Sequence, residues 1–439
     1  MSVPNVPQLR RYQDWLRATR GLTFASYQEL WEWSVTDLPA FWQSIWDYFD
    51  LQSPTPHRQV LADGSMPGAR WFEGAQVNYA QQVFRHVQPA HAAGLPALIS
   101  RNEKGQQREL SWPELRRQAA ALALHLKAQG LQPGDRVAAY LPNIPEAMVA
   151  FMAVVSLGGV WSICAPDMGT NAVLDRFRQI EPKVLIACDG VSYGGRDFDR
   201  GAVVAQLQAA LPSVQHLLVF RNLGGDAGRE LPPHVDLAQV FARSGPEVDA
   251  FEPLWLPFDH PLWIVYSSGT TGLPKPIVHG HGGTVIVALT LNVLHNDIGC
   301  SYEANSWGER YHWYSSTGWV MWNIQVAGLL GGTTCCIYDG NPAGSKDHPD
   351  LSVLWRFVAE LGVTFFGAGA AFYANCIKAN VDLPSCGDLR AVRTLGTTGS
   401  PLSPEVQQWG IDQFTRVRAG ADAGGAATAQ QALWWCNMS

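Results

Sequence analysis

Residues 263–275, Trp-Ile-Val-Tyr-Ser-Ser-Gly-Thr-Thr-Gly-Leu-Pro-Lys, run an apolar segment into a loop of hydroxyls and glycines that closes on a lysine. Such a loop suits a polyphosphate. Gly269 and Gly272 let main-chain N–H groups approach an anion, Ser267, Ser268, Thr270 and Thr271 add hydroxyl donors, and Lys275 supplies a point charge. These residue types point to a nucleoside triphosphate, with ATP the expected ligand. The spacing is not that of a Walker loop, because Gly272 is followed by Leu-Pro-Lys-Pro. A Ser/Thr/Gly stretch can also be a plain solvated linker. Apolar Leu262–Tyr266 before it and Val285–Leu291 after it argue instead for a loop held inside a domain.

Other segments add to this one. Residues 395–404, Leu-Gly-Thr-Thr-Gly-Ser-Pro-Leu-Ser-Pro, read as a turn ahead of a helix that starts near Ser403, and residues 313–323, Trp-Tyr-Ser-Ser-Thr-Gly-Trp-Val-Met-Trp-Asn, are rich in aromatics. Val363–Phe366 enters Gly367-Ala-Gly369, which begins like a dinucleotide fingerprint and lacks its third glycine. Small residues there are expected where backbone comes close to a ligand. His279 and His281 follow the phosphate loop, where a contact to substrate or phosphate and a hydrogen-bonded structural role both fit.

These segments resemble one superfamily. Tyr266–His279 is similar to the phosphate loop of the acyl-adenylate-forming enzymes, which include acyl-CoA synthetases, luciferases and the adenylation domains of peptide synthetases. Residues 71–81, Trp-Phe-Glu-Gly-Ala-Gln-Val-Asn-Tyr-Ala-Gln, resemble a Trp-Phe-x-Gly-x-x-x-Asn segment of the acetate- and acetoacetate-activating members, and Gly159–Asp167 and Val173–Lys183 are similar to segments of the acetoacetate branch. The resemblance implies an AMP-forming acid–thiol ligase. Its carboxylate, acetoacetate, attacks the α-phosphorus of ATP carried with Mg2+, and coenzyme A then displaces AMP. A ligase for acetate or another short acid, and a nucleotide-binding protein without turnover, are the alternatives. The resemblance further implies that Thr270 and Lys275 act catalytically on the phosphates and that Gly399, Ser400 and Pro401 lie against adenine. Trp319, Val320, Met321 and Thr398 are implied to line the acyl pocket, with Trp319 limiting its depth and Thr398 donating to a 3-oxo group. It assigns no metal-ligand residue. The resemblance runs from about Tyr12 to Phe414, whereas family members continue with an acidic segment, a ribose-binding Asp and a mobile C-terminal domain that carries a further lysine. The expectation is a truncated or frameshifted product of impaired activity, with strand edges left open where the remainder would pair.

Positioning these segments takes an alternating chain. Strand-like runs at Arg136–Leu141, Val160–Cys164, Val184–Cys188, His216–Phe220, Leu262–Tyr266, Thr333–Ile337 and Val363–Phe366 are separated by helical stretches, which predicts an α/β layered fold. Ser111-x-x-Glu114 opens a helix with Leu115, Ala119, Leu122 and Leu126 on one side, and Ser26-x-x-Glu29 opens another in a Trp-rich N-terminal region where Trp42, Ile45, Trp46 and Phe49 share a face. The expected organisation is a helical region 1–96 of acetyl-CoA synthetase type, an incomplete AMP-binding domain 97–414 whose mobile C-terminal partner is missing, and an atypical Ala/Gly-rich tail 415–439.

Composition narrows the partners. Lys+Arg 31 against Asp+Glu 38 gives a formal charge of −7, which excludes a basic field for nucleic acid. The partners expected are therefore small molecules. The 8 cysteines show no Cys-x-x-Cys pair, which fits the reduced core of a cytoplasmic protein, and the N-terminus lacks an apolar signal core. Uncharged Ala147–Ala165 is just long enough for a bilayer, but Gly158-Gly159 divides it into a buried helix from about Pro145 and a strand Val160–Cys164, so no membrane span is expected. The oligomeric state is not legible.

Overall fold

In the computed structural model, which describes residues 6–267, 272–419 and 433–438, the strand-like runs assemble into two larger sheets. Ser268, Gly269, Thr270 and Thr271 lie outside the described residues. The first sheet runs in the order 235–236, 216–220, 184–188, 136–140, 160–164, 261–267 and 275–280, all parallel except Lys275–Gly280, which turns back antiparallel to Pro261–Ser267. The second runs 434–438, 394–398, 365–369, 310–313, 334–339, 96–102 and 107–111, again parallel apart from the last strand. Val160–Cys164 and Val184–Cys188 are buried along their whole length, as strands covered on both faces must be.

Three apolar clusters place the layers. The largest joins Val137 and Trp161 of the first sheet to Leu98 and Ile337 of the second through Leu115 and Phe151, which lie on the helices Trp112–Ala128 and Pro145–Ser156. These helices are the filling between the sheets, which is why all 12 residues of Pro145–Ser156 are buried. The other two clusters cover the outer faces, one through helices Thr170–Phe177 and Gly201–Ala210, the other through Val353–Leu361, Ala370–Lys378 and Pro404–Ala419. The expected helix caps are present: Glu29 N donates to Ser26 Oγ at 3.2 Å and Glu114 N to Ser111 Oγ at 3.3 Å. Gly158, at φ 74, ends the central helix before strand Val160–Cys164 begins.

The N-terminal helices Gln8–Arg20, Tyr27–Thr36 and Leu38–Tyr48 pack by their aromatics, with Trp46 stacked on Phe72 at 4.8 Å. The Trp-rich stripe is therefore core. The edge beside Thr394–Thr398 is taken by Trp434–Met438, which pairs with it in parallel register from Thr394↔Trp434 to Thr398↔Met438 and is itself the edge strand among the described residues. No helix among the described residues is long and apolar enough to cross a membrane.

Candidate active site

Each segment singled out for chemistry follows the carboxyl end of a parallel strand, where open α/β sheets present loops to ligands. The phosphate loop leaves Pro261–Ser267, and Gly272 at φ 101 takes the chain back toward Lys275, which stands opposite Ser267 across the hairpin. Lys275 is exposed, and its side chain has no ion pair or hydrogen bond with any described residue. Thr270, the other catalytic assignment, falls outside the described residues with Ser268, Gly269 and Thr271.

The turn expected to lie against adenine follows Thr394–Thr398. Gly399 has φ 89, a left-handed turn that glycine adopts without strain, and Ser400 and Pro401 share a pocket of about 200 Å³ with Thr397, Thr398, Leu402 and Asn437. The residues expected to line an acyl pocket divide. Trp319 and Val320 are 51% and 42% exposed at the start of helix Val320–Val326, whereas Met321 is turned into the main core. Thr398 lies two strands along the sheet from the strand that leads to Trp319, roughly 10 Å at ordinary strand spacing.

Two sequence readings gain a physical reason. Gly367 and Gly396 are small because Trp313 lies over them, its ring atoms 2.2 and 2.5 Å from where a Cβ would stand. Packing, and not a ligand, demands those glycines. Gly369 is different, with only Thr398 O at 3.9 Å. His281 proves structural: its Nδ1 accepts from Tyr79 N at 3.0 Å, and burial pushes its imidazole down to about 3, which keeps it neutral. His279 is exposed, edge-on to Trp263.

Sequence reasoning missed a cavity of about 310 Å³ where the carboxyl ends of the two sheets face each other. Asn143 and Asp167 enter from the first sheet, Tyr314 and Asp339 from the second, Tyr193 from the hairpin at 190–199 and Arg200 from the start of the helix that follows it. Asn143 is fixed by Trp322, whose Nε1 donates to Oδ1 at 3.1 Å. Arg200 donates from Nε to Pro166 O at 2.9 Å and has no acidic partner among the described residues. Glu103 pins the hairpin, accepting Gly194 N and Gly195 N at 2.8 Å each, and also Asn341 N at 3.1 Å. The cavity adjoins the acyl segment through Ser315, Ser316 and Thr317.

A family described as AMP-binding enzyme matches residues 84–426, and one described as the acetyl-coenzyme A synthetase N-terminus matches residues 27–83. The chain belongs to the AMP-binding enzyme family. Within that family it is 37% identical over 402 residues to the acetoacetyl-coenzyme A synthetase of Rhizobium meliloti (strain 1021), covering 90% of this chain and 58% of that protein. It is 32% identical over 446 residues to a malonamoyl-CoA synthetase of Penicillium aethiopicum, covering 97% of this chain and 60% of that one. The solved acetoacetyl-CoA synthetase from Streptomyces lividans superposes with a TM-score of 0.87 at 41% identity, over 98% of this chain and 62% of that one. The α/β fold expected from the sequence is thus the fold found, and the chain spans about three fifths of the length of these AMP-binding relatives. The AMP-binding match continues to residue 426, past Phe414, where the motif resemblance ends.

Proposed function

We propose that this protein activates acetoacetate, forming acetoacetyl-AMP from ATP and passing the acyl group to coenzyme A. The observation that carries the reading is Lys275, exposed, with a side chain that pairs with no described residue, and held opposite Ser267 by the hairpin at the mouth of the phosphate loop. Its ammonium neutralises charge that develops on the phosphoryl oxygens, a task of position and electrostatics more than of covalent chemistry. Thr270 is placed with it by motif, and Gly399, Ser400 and Pro401 supply the wall for adenine. Mg2+ arrives on the triphosphate, the usual way this ion is bound.

The Streptomyces and Rhizobium likenesses favour acetoacetate. A malonamoyl group carries a carbonyl at the same position as acetoacetyl, so one hydroxyl donor at Thr398 serves either acid. The cavity between the sheet ends suits the arm of the thiol substrate, since it adjoins Thr317 beside the acyl segment. All eight cysteines are free thiols, which favours a reducing, cytoplasmic setting.

Exchange of labelled pyrophosphate into ATP, driven by acetoacetate with acetate, butyrate and malonamate alongside, tests the reading. Acetoacetate-dependent exchange that falls about 10²-fold or more in Lys275→Met is the expected result. A folded, ATP-binding protein without exchange for any acid makes it a nucleotide-binding protein instead.

A further inference from the structure

The segment Val173–Lys183 has no part in the chemistry assigned to Lys275, yet its helix ends against the hairpin that carries that lysine. Lys275 lies between Pro274 and Pro276. Neither proline has an N–H, so the residues on either side of the lysine offer only carbonyl acceptors. In the ladder Tyr266 is opposite Pro276 and Ser267 opposite Lys275, the last pair in the register. The carbonyl of Pro274 lies beyond that pair, and a donor from another element must hold it if the chain is to be fixed there.

Helix Thr170–Phe177 brings that donor. A helix leaves its last carbonyls without partners of its own. Gln179 Nε2 donates to Asp175 O at 2.6 Å and to Pro274 O at 2.8 Å, so one amide group, with its two N–H donors, joins the helix end to the residue before Lys275. The other strand is tied to the same place. Tyr266 Oη donates to Arg176 O at 3.2 Å and accepts from Ser162 Oγ at 3.3 Å, while the Arg176 guanidinium lies 5.6 Å from the centre of the Tyr266 ring. Both strands of the hairpin are thus held one residue from Ser267 and Lys275 by a single helix end. The two ties differ in what else they do. Tyr266 packs against the outer apolar cluster, whereas Gln179 is exposed and its one hydrogen bond to the hairpin is to Pro274 O.

We propose that Gln179 is a positioning residue for formation of the adenylate, holding Pro274 so that Lys275 extends from a fixed main chain toward the phosphates. This rests on the reading of Lys275 as the cation that meets the phosphoryl oxygens. Gln179 touches no substrate in this role and acts through the lysine. A point charge is worth most when it is in place before charge develops, and a displacement of about 1 Å can cost 10²-fold in rate.

Gln179→Leu, which removes both donors at similar size, tests the role by pyrophosphate exchange on the full chain. Its turnover number should fall about tenfold, with the KM for acetoacetate unchanged and the melting midpoint within about 2 °C of wild type. A double-mutant cycle with Lys275→Met then separates positioning from a general structural effect. Added to Lys275→Met, Gln179→Leu should cost no more than about twofold further.

A tenfold loss repeated in the Met background overturns the assignment, because the effect then does not pass through Lys275. Unchanged turnover in the single variant, or a change confined to KM, overturns it as well. A wild-type chain that binds ATP and exchanges nothing fails at the ligase reading, and the same cycle is then read on the ATP dissociation constant by calorimetry. Gln179→Leu should weaken ATP binding about threefold in the wild-type background and leave it unchanged in Lys275→Met, and equal effects in both backgrounds overturn the positioning role. A folded chain that binds no ATP overturns both readings together.

Discussion

Thr398 ends its strand in the same small pocket as Ser400 and Pro401, so a hydroxyl stands next to the turn proposed for adenine. If it donates to the 3-oxo oxygen, Thr398→Val, which keeps the shape and removes the donor, leaves that oxygen buried without a partner. Discrimination of acetoacetate over butyrate in the exchange assay should then fall by about 10- to 100-fold, while turnover of butyrate is retained. An unchanged ratio removes Thr398 from the specificity argument. At this scale the structure sets Lys275 opposite Ser267, as a loop between them requires, while Ser268–Thr271 lie outside the described residues. The sequence was not readable at Met321, whose apolar side chain suits pocket and core equally and which the fold takes for the core. Asp339 was also hidden, because a lone Asp before Gly340 looks like an ordinary turn residue until Glu103 and Glu146 are brought beside it by the fold.

Trp313 ties three strands together, lying over Gly367 and Gly396 of the two strands beyond its own. Adding one methyl at Gly396 drives a Cβ to 2.5 Å from a ring held at full burial. Gly396→Ala should cost about 1–3 kcal/mol in urea unfolding, because the indole has no free volume to retreat into. A neutral effect would show that the strands slide apart without penalty. The same elements show what pattern can reveal. Strands such as Val184–Cys188 were legible because burial on both faces writes an unbroken apolar run. Lys275–Gly280 was not, since it is an edge strand exposed on nearly every residue, preceded by Pro274 and carrying Pro276 as its second residue. Arg310–Trp313 was missed for a different reason: its polar members are satisfied only through distant partners, His312 by Cys336 O and Arg310 by Leu361 O.

Across the whole molecule, one buried ionic group fastens the N-terminal helices to the second sheet. Gln8 N donates to Asp297 Oδ1 at 2.7 Å, and Arg393 meets Asp297 Oδ2 at 2.9 Å and Glu309 Oε1 at 3.4 Å. Arg393→Met strands two carboxylates and should cost about 3–5 kcal/mol near neutral pH. Glu309 is already raised by burial, so in the variant the loss should shrink as pH falls and the carboxyl takes a proton, a trend that thermal melting from pH 7.5 to about 5 would record. A deficit independent of pH would place the loss in packing against Trp307, over whose ring the guanidinium sits at 5.2 Å. The antiparallel edge of the first sheet carries one more consequence. Ile277 and Val278 stand exposed on a strand whose outer main-chain groups have no partner strand among the described residues, a template on which a second molecule could add. The charge of Lys275 and the rings of Pro274 and Pro276 blunt that edge. Colloidal solubility and the proposed turnover thus converge on one ammonium group, and Lys275→Arg, which keeps the charge while changing its geometry, is the variant that separates the two.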